Sequence, residues 1–323
     1  MAPSPPADTT PTTGSSTAPA PAPAPAPEPL SGSSRLRDTF AGQPLSAHPA
    51  AWDALWQASY TPWDRGGGSD ALREVLVTHP PLFPPPGGES QTGTKRRRRA
   101  LVPGCGRGYD AVLLGRAFGY DVVGLDSSAE AVRAAVANAA GAAAGSDGNG
   151  DVYAPQTETE TETETSIGRV EFVLGDFFDE DGVLGKPADG DDDSKFDLIF
   201  DYTFFCALPI EARPRWARRM ADLLRRDTGR LVCLEWPLHK PPATGGPPWG
   251  VTARAYAAHL GHPGVELAYQ DDNSGDPIVS LGSSSSSNNG ALRCLARFQP
   301  QKTHKAGCDE HGNVIDYVSV WGH

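Results

Sequence analysis

The chain is 323 residues long, carries a formal net charge of −12 at pH 7 and contains 38 % hydrophobic residues. This length suffices for one large domain, but the hydrophobic fraction is low for a globular protein, so part of the chain is expected to lie outside any core. The acidic balance disfavours a nucleic-acid partner, because phosphate contacts need a basic surface.

The expected location is the cytoplasm, without membrane contact. No apolar run approaches the roughly 20 residues that span a bilayer, and the first residues lack the charged start and apolar core of a secretory signal. The chain contains five cysteines, an odd number, and their spacing is irregular. This pattern is typical of a protein whose thiols remain reduced. The basic run 95–99 (Lys95 to Arg99) could act as a nuclear import signal, although we expect a solvated loop that enters the first strand. No metal site is predicted.

Low-complexity segments divide the chain. Residues 1–45 are rich in Pro and Ala and are predicted to form a disordered tail, because such a segment buries too little apolar surface to offset its ordering entropy. Residues 46–323 are predicted to form one domain, interrupted by polar inserts near 141–168, 179–195 and 270–290. The inserts are expected to be solvated surface loops without a chemical role.

Two short helices are predicted ahead of the first strand. The first covers residues 51–60, whose large apolar side chains recur at helical spacing at Trp52, Leu55, Trp56 and Tyr60. The second covers residues 70–78, with Ser69 as its N-cap.

A strand, a glycine turn, a helix and a second strand that ends in an acid come next. In chain order they are residues 100–103, Gly104 with Gly106 and Gly108, residues 110–118, and residues 121–126. A glycine turn lets the backbone approach a ligand closely, and Asp126 at the end of the second strand is placed to accept hydrogen bonds from ribose hydroxyls. The order predicts the opening half of a nucleotide-binding α/β fold, although Asp126 could instead only cap the next helix.

Further strands and helices complete the predicted sheet. They are strands 170–174, 196–201 and 230–235, helices 129–140 and 211–225, and a closing antiparallel pair at 292–298 and 314–321. Directly after strand 170–174, Asp176 could accept a hydrogen bond from an adenine amino group while Phe177 packs on the purine face. The alternative at this point is a plain turn with core phenylalanines.

Three tryptophans, Trp52, Trp56 and Trp63, precede the sheet. Two of them are spaced one helical turn apart, which is usually a core pattern, but the motif Thr61-Pro-Trp-Asp64 follows at once. Indole faces attract cations by about 0.5–2 kcal/mol. An aromatic cap therefore suits a cofactor with a sulfonium group better than a nicotinamide cofactor, and the glycine spacing also departs from the G-x-G-x-x-G dinucleotide fingerprint.

Together these motifs resemble the thiopurine S-methyltransferase family, particularly its thiol and halide methyltransferase branch. The match is carried by the tryptophan segment 52–64, Leu101 to Asp110, Asp121 to Asp126, Gly175 to Phe178, Phe196 to Pro209, Leu234 to Leu238, Gly245 to Pro248 and Asp316 to Gly322. The resemblance implies a Rossmann-like α/β fold with a seven-stranded, mostly parallel sheet flanked by helices, and an N-terminal helical lid. It implies S-adenosylmethionine as the cofactor, with contacts at Trp52, Trp56, Trp63, Gly104, Asp126, Asp176, Phe177 and Tyr202.

The expected reaction is in-line transfer of a methyl group to a small, soft nucleophile such as a thiol, hydrosulfide or halide. The segment that starts at Asp201 departs from the N/D-P-P-Y pattern of amino-group methyltransferases, and no obvious histidine base is expected, since a thiolate or halide needs no proton removed during attack. Tyr202 is expected to orient the acceptor, and Phe204 and Phe205 to wall its pocket, unless they are ordinary core residues. A thiopurine acceptor, or a non-catalytic protein that binds the cofactor, are the alternatives. We expect a monomer.

Overall fold

The computed structural model of the protein describes residue 1 and residues 32–84, 96–144, 167–185, 194–241, 244–270, 274–279 and 290–323. The helices in these ranges are α1 (Gly32–Phe40), α2 (His48–Gln57), α3 (Asp70–Thr78), α4 (Tyr109–Phe118), α5 (Ala129–Ala144), α6 (Arg213–Leu223) and α7 (Ala253–Gly261). The strands are β1 (Arg99–Pro103), β2 (Asp121–Asp126), β3 (Val170–Leu174), β4 (Leu198–Tyr202), β5 (Arg230–Glu235), β6 (Ala268–Tyr269), β7 (Pro277–Ile278), β8 (Arg293–Phe298) and β9 (Tyr317–Gly322).

Seven of the strands form one sheet in the order β3-β2-β1-β4-β5-β9-β8. Strands β1 to β5 pair in parallel, whereas β9 runs antiparallel to both β5 and β8. The predicted fold class, a mostly parallel seven-stranded α/β sheet that closes with an antiparallel pair at its edge, is therefore confirmed.

Side chains that alternate along the strands supply two cores, one on each face of the sheet. One face carries Leu101, Ile199 and Leu231 and packs against α6 and α7. The other face carries Ala100, Phe200 and other alternate residues and packs against α3 and α4. The central strands are covered on both sides, which explains their nearly continuous apolar sequences.

The helices on the second face begin and end at residues that the sequence makes recognisable. Ser69 accepts a hydrogen bond from the backbone N–H of Leu72 at 3.2 Å, so the predicted N-cap of α3 is confirmed. Helix α4 starts after Gly108 and ends at Gly119, both in the left-handed region.

Ordered structure begins earlier than the predicted boundary at residue 45. Helix α1 places Leu36 and Phe40, four residues apart and both buried, against Leu55 and Trp52 of α2. The assignment of residues 32–45 to a disordered tail was wrong, because the neighbouring Pro/Ala-rich composition hides this short amphipathic pattern. The prediction for residues 2–31 concerns residues outside the described part of the chain.

The first and third predicted inserts fall largely on residues that are not described, whereas the second is described at 179–185 and 194–195. Helix α5 continues to Ala144, four residues beyond the predicted end. In the third insert, β7 pairs with β6 in a small antiparallel sheet, so this part is not a plain loop. Helix α7 lies just before it and was not predicted from the sequence.

Of the arginines before β1, Arg97 is exposed as predicted, but Arg96 and Arg98 are partly buried and make specific contacts. Arg96 pairs with Asp197 at 2.7 Å, and Arg225 reaches the same carboxylate at 3.1 Å. The guanidinium of Arg98 lies 4.4 Å from the centre of the Tyr120 ring. These residues fasten the entry of β1 to its neighbours; Lys95 lies outside the described residues.

No helix in the described ranges combines the length and the apolar composition that crossing a bilayer requires. Within the same ranges, no three His, Cys, Asp or Glu side chains are grouped as the ligands of a metal ion would be.

Candidate active site

A cavity of about 770 Å³ lies at the carboxyl ends of the five parallel strands. Its wall includes the residue that follows each strand or ends it, namely Gly104, Asp126, Gly175, Thr203 and Trp236. Ligands of open α/β sheets bind at this edge, and the volume falls within the range of about 300–1,000 Å³ that is typical of small-molecule sites.

The N-terminal helices cover the cavity with indole rings. Trp52, Trp56 and Trp63 all line it. The Trp63 ring meets the Trp52 ring edge-on at 5.0 Å and the Trp56 ring at 5.9 Å between centroids. The three predicted aromatic residues are thus brought together as one wall over the ends of β1 and β2.

Polar contacts fasten this lid to the sheet. Asp64, which follows Trp63, is paired with Arg107 of the glycine turn. Asp53 of α2 accepts a hydrogen bond from the Ser128 hydroxyl at 2.7 Å, at the start of α5. The lid is therefore attached to the glycine turn and to the start of α5, which lie on either side of Asp126. These two contacts hold the indole rings in place above the glycine turn.

The backbone of the glycine turn leaves no room for a side chain at Gly104 or at Gly108. Gly104 has φ +60°, and a Cβ built on it would lie 2.6 Å from the Phe204 ring. Gly108 has φ +72°, and its Cβ would lie 2.4 Å from the Phe172 ring. The absence of side chains brings bare backbone to the cavity wall next to the N-terminus of α4, as a bound cofactor would require.

Asp126 ends β2 with its carboxylate at the cavity wall. It accepts backbone N–H groups from Gly106 at 2.9 Å and from Ser128 at 3.0 Å. Burial raises the pKa of Asp126, and these N–H groups act in the opposite direction. The carboxylate is thus fixed in orientation, and each oxygen keeps a second lone pair for a ligand hydroxyl.

The residues after β3 also reach the cavity. Asp176 and Phe177 both line it. Oδ1 of Asp176 accepts a hydrogen bond from the backbone N–H of Phe178 at 2.9 Å, which closes a tight turn. Oδ2 of Asp176 takes no part in this bond. The ring of Phe177 meets Phe204 edge-on at 5.1 Å. The two halves of the predicted adenine contact are therefore adjacent.

Tyr202, which ends β4, and Phe204 and Phe205, which follow it, do not line one common wall, which corrects the prediction. Phe204 lines the cavity, but Phe205 is fully buried between Trp216 and Tyr256, at ring distances of 4.3 and 4.5 Å. Phe205 is a core residue and does not wall the acceptor pocket. Tyr202 also does not line the large cavity.

The side chain of Tyr202 points to the opposite face of the sheet, into a smaller cavity of about 70 Å³. Its ring stacks on His304 at 5.5 Å between centroids. The cause is the alternation of the strand, which sends Asp201 and Tyr202 to opposite faces. The chain then bends at Thr203, whose φ of +64° is rare for a residue with a β-branched side chain.

Asp201 holds this bend in place from the core side. Its carboxylate accepts the backbone N–H of Phe205 at 3.1 Å and the indole N–H of Trp216 at 2.8 Å. Burial raises the pKa of Asp201 to about 6, although these donors lower it. The folded protein therefore binds a proton at Asp201 more tightly than the unfolded chain does.

The variant Asp201→Asn tests this linkage. A raised acid pKa stabilises the wild type at low pH, and the advantage is lost as the pH rises from about 4 to about 6. A shift of about 2 units at about 1.36 kcal/mol each predicts that the variant gains up to about 3 kcal/mol relative to the wild type between pH 4 and pH 7. Urea unfolding at both pH values measures it. Val232→Ala, a core variant without a titrating group, should lower the free energy of unfolding by the same amount at pH 4 and pH 7. If the difference in unfolding free energy between Asp201→Asn and the wild type is also the same at both pH values, the raised pKa of Asp201 is contradicted.

Several residues of the cavity wall were not found from the sequence. His48, on the first turn of α2, lies one turn before Trp52 and lines the cavity. Burial lowers the pKa of His48. The spacing of His48, Trp52 and Trp56 at every fourth residue is the signal that could have revealed it. Arg65 directly follows the motif Thr61-Pro-Trp-Asp64, and Trp236 lies in the segment Leu234 to Leu238, but neither residue was singled out within its motif; Lys240 lies just after that segment and no pattern marks it.

The residues present fit a nucleoside sulfonium cofactor: bare backbone at a helix N-terminus, a fixed carboxylate at the end of β2, an acid beside an aromatic ring after β3, and indoles overhead. The fold and this cavity define an S-adenosylmethionine-dependent methyltransferase. Comparison with known sequences gives the family: the model described as Thiopurine S-methyltransferase (TPMT) matches residues 47–277, and the chain belongs to that family.

Curated relatives are also methyltransferases. The chain is 32 % identical over 237 residues to "Probable thiol methyltransferase 2" of Arabidopsis thaliana, which covers 73 % of this chain and 83 % of that protein. It is 30 % identical to "Thiocyanate methyltransferase 1" of Arabidopsis thaliana, over 69 % of this chain and 76 % of that protein. The protein of the same name from Brassica oleracea is 30 % identical, over 71 % of this chain and 80 % of that protein.

Solved structures with a similar fold include a SAM-dependent methyltransferase from Anabaena variabilis, with a TM-score of 0.47 and 15 % identity over 85 % of this chain and 95 % of that one. Magnesium protoporphyrin IX methyltransferase from Synechocystis, with bound SAH, has a TM-score of 0.44 and 14 % identity, over 89 % of this chain and 92 % of that one.

Proposed function

We propose that this enzyme transfers the methyl group of S-adenosylmethionine to a small, soft nucleophile: a thiol, hydrosulfide or halide. The observation that carries the proposal is the division of the cavity wall. Both carboxylates that line it, Asp126 and Asp176, lie at the ends of β2 and β3, whereas the wall at the ends of β4 and β5 is aromatic and cationic.

The β4–β5 wall suits an acceptor that is anionic or apolar. It contains the rings of Phe204 and Trp236, together with the cationic groups of Arg65 and Lys240. None of the described residues on this side of the cavity is a carboxylate that would attract or deprotonate an ammonium. An amine acceptor is therefore disfavoured, and a polarisable anion is favoured. The names of the relatives, which refer to thiols and thiocyanate, support the same class.

Bound S-adenosylmethionine supplies an activated methyl group on a positively charged sulfur. The residues of this chain act by position. When the cofactor is bound, the glycine turn and Asp126 would hold its nucleoside end, and the indoles of the lid would cover the sulfonium and exclude water. Phe204 and Trp236, which line the cavity at the ends of β4 and β5, would confine the acceptor next to the bound cofactor. For a thiol that arrives protonated, His48 is the imidazole on the cavity wall that could take the proton, since its lowered pKa keeps it neutral near pH 7.

The test is S-adenosylhomocysteine formation by the purified protein with iodide, hydrosulfide or thiophenol in separate reactions. Turnover above a reaction without acceptor is expected, and the relative rates rank halide, inorganic sulfide and aromatic thiol. No turnover with any of the three, while the cofactor still binds, would contradict the proposal and favour a non-catalytic binding protein, which the methyltransferase relatives do not favour.

The variant Trp63→Leu tests the role of the lid. If indole faces attract the sulfonium, the loss of one ring weakens the binding of S-adenosylmethionine about 2- to 30-fold more than that of the uncharged S-adenosylhomocysteine, corresponding to about 0.5–2 kcal/mol. Calorimetric Kd values for both ligands measure this. Trp63→Phe keeps an aromatic face and should retain most of the preference; equal losses for the two ligands would show that the indole only fills space.

A further inference from the structure

The connection from β5 to α7 forms part of the cavity wall and is rich in proline. We call residues 236–251 the proline strap; the structure describes all of them except 242 and 243. Trp236 lines the cavity at the start of the strap. Three of the strap's five prolines line the same cavity, namely Pro237, Pro247 and Pro248.

The strap can form few hydrogen bonds through its own backbone. Proline has no N–H group, so five residues of the strap lack a donor. Among the described residues, the backbone N–H groups that do donate are those of Thr244 to Pro241 at 3.1 Å, Trp249 to Cys206 at 2.7 Å and Val251 to Pro237 at 3.3 Å. Side chains must therefore supply much of what fixes the shape of the strap.

Lys240 supplies two such bonds from a single ammonium group. Its Nζ donates to the carbonyl of Gly245 at 2.8 Å and to the carbonyl of Pro248. The two acceptors lie five and eight positions further along the chain, so Lys240 closes the strap into a loop. Gly245 and Pro248 also stand on either side of Pro247, so these bonds fix the part of the strap that lines the cavity.

The ammonium of Lys240 has no acidic partner that would hold it instead. Lys240 is partly buried, and burial lowers its pKa. The titrating groups that act on this pKa are Cys206 and Arg37, and no carboxylate of the described residues is among them. Hydrogen bonds from a charged donor are stronger than those between neutral groups. The two strap carbonyls and the ammonium therefore hold one another in place.

The closed strap also meets the N-terminal helices. The ring of Trp249 lies parallel to that of His48 in α2, at 6.2 Å between centroids. Gly245 lies against α1, since a Cβ built on it would be 3.3 Å from Cδ of Arg37. The shape of the strap therefore sets both the proline wall of the cavity and the surroundings of His48.

We propose that Lys240 is a positioning residue, whose ammonium holds the proline strap in the shape that forms the cavity wall beyond β5. This role rests on the proposed function and deepens it, because the strap begins with Trp236, which would confine the acceptor. The role acts through the strap backbone, so its effect grows with the surface that an acceptor places against this wall. A bulky aromatic thiol depends on it more than a halide, which is a single atom.

Lys240→Met tests the role, because methionine nearly keeps the length of the side chain but removes the charge and all three N–H donors. Amide hydrogen exchange of the full-length protein should become about fivefold faster or more in peptides that cover residues 244–251, and stay within twofold in β1 and β4. The ratio of kcat/KM for thiophenol to kcat/KM for iodide should fall about fivefold or more at saturating S-adenosylmethionine.

Two control variants separate position from charge. Lys240→Arg keeps the charge and several N–H donors, so it should restore most of the exchange protection and most of the thiophenol preference. Lys302→Met removes one positive charge from an exposed residue outside the cavity walls, and both measurements should stay within twofold of the wild type. If Lys240→Met does not fold, Lys240→Gln, which is also neutral, carries the same measurements.

A direct charge contact between Lys240 and the acceptor would give a different pattern. Both acceptors would lose kcat/KM by a similar factor, and exchange in residues 244–251 would match the wild type; either result would overturn the positioning role. Hydrogen exchange needs no turnover, so it separates this role from the proposed function. If the wild type methylates none of the acceptors but Lys240→Met still speeds exchange in the strap alone, Lys240 fixes the strap and the acceptor class is wrong.

Discussion

Replacement of Asp126 by Asn is expected to weaken the binding of S-adenosylhomocysteine by between about 30-fold and about 1,000-fold. The carboxylate is held by the N–H groups of Gly106 and Ser128 and faces the cavity. The amide of Asn at this position keeps one acceptor oxygen. Its NH₂ group faces a hydrogen-bond donor, either a backbone N–H or a ligand hydroxyl, and cannot accept from it. One or two charge-assisted hydrogen bonds to a ligand, each worth about 2 kcal/mol, are then lost.

Asp121→Asn is the matched control, since Asp121 begins the strand that Asp126 ends. Its Oδ1 accepts the backbone N–H of Arg169 at 2.9 Å and lies 3.9 Å from Arg97, at the edge of the sheet opposite the cavity. This variant should bind within twofold of the wild type. Calorimetry on both variants, after their folding has been verified by circular dichroism, decides; an unchanged affinity for Asp126→Asn would remove the carboxylate from the cofactor site.

The strands of the sheet could be predicted from the sequence to within three residues because their signals are local. Strands β2, β3 and β5 have the predicted bounds, since each is a short apolar run ended by glycine, acid or turn residues. The glycine turn and Asp126 follow directly from two of these runs. A residue that directly follows or ends a strand of a parallel sheet lies at the carboxyl edge of that sheet, so its position can be predicted from the sequence.

The acceptor side of the cavity could not be predicted in the same way. The direction of the side chains after β4 depends on the left-handed Thr203, and a β-branched residue gives no sign in sequence that it adopts this conformation. The prediction therefore placed Tyr202, Phe204 and Phe205 around one acceptor pocket. In the structure, Phe204 lines the large cavity, Tyr202 lines the small one and Phe205 lies in the core. Arg65 and Trp236 meet across 171 positions of the chain, and such contacts leave no local pattern.

Gly104→Ala is the second variant with a large expected effect, and it tests whether the glycine turn must present bare backbone. Alanine at φ +60° is strained by about 1–2 kcal/mol, and its methyl group would lie 2.6 Å from the Phe204 ring. Relief requires either the turn or the ring to move, at a further cost of about 1–3 kcal/mol. Because both line the cavity, we expect the affinity for S-adenosylhomocysteine to fall by more than about 30-fold, equivalent to about 2 kcal/mol.

Two further variants separate the causes of this loss. Gly312 has φ +84° and open space around it, so Gly312→Ala carries the backbone strain without a collision and should lower the free energy of unfolding by about 1 kcal/mol with unchanged binding. The double variant Gly104→Ala/Phe204→Ala removes the obstructing ring. If the collision with Phe204 displaces the turn, the double variant binds S-adenosylhomocysteine more tightly than Gly104→Ala alone. If both bind equally weakly, the methyl group itself occupies space that the cofactor needs, and the backbone of Gly104 is then a direct contact surface.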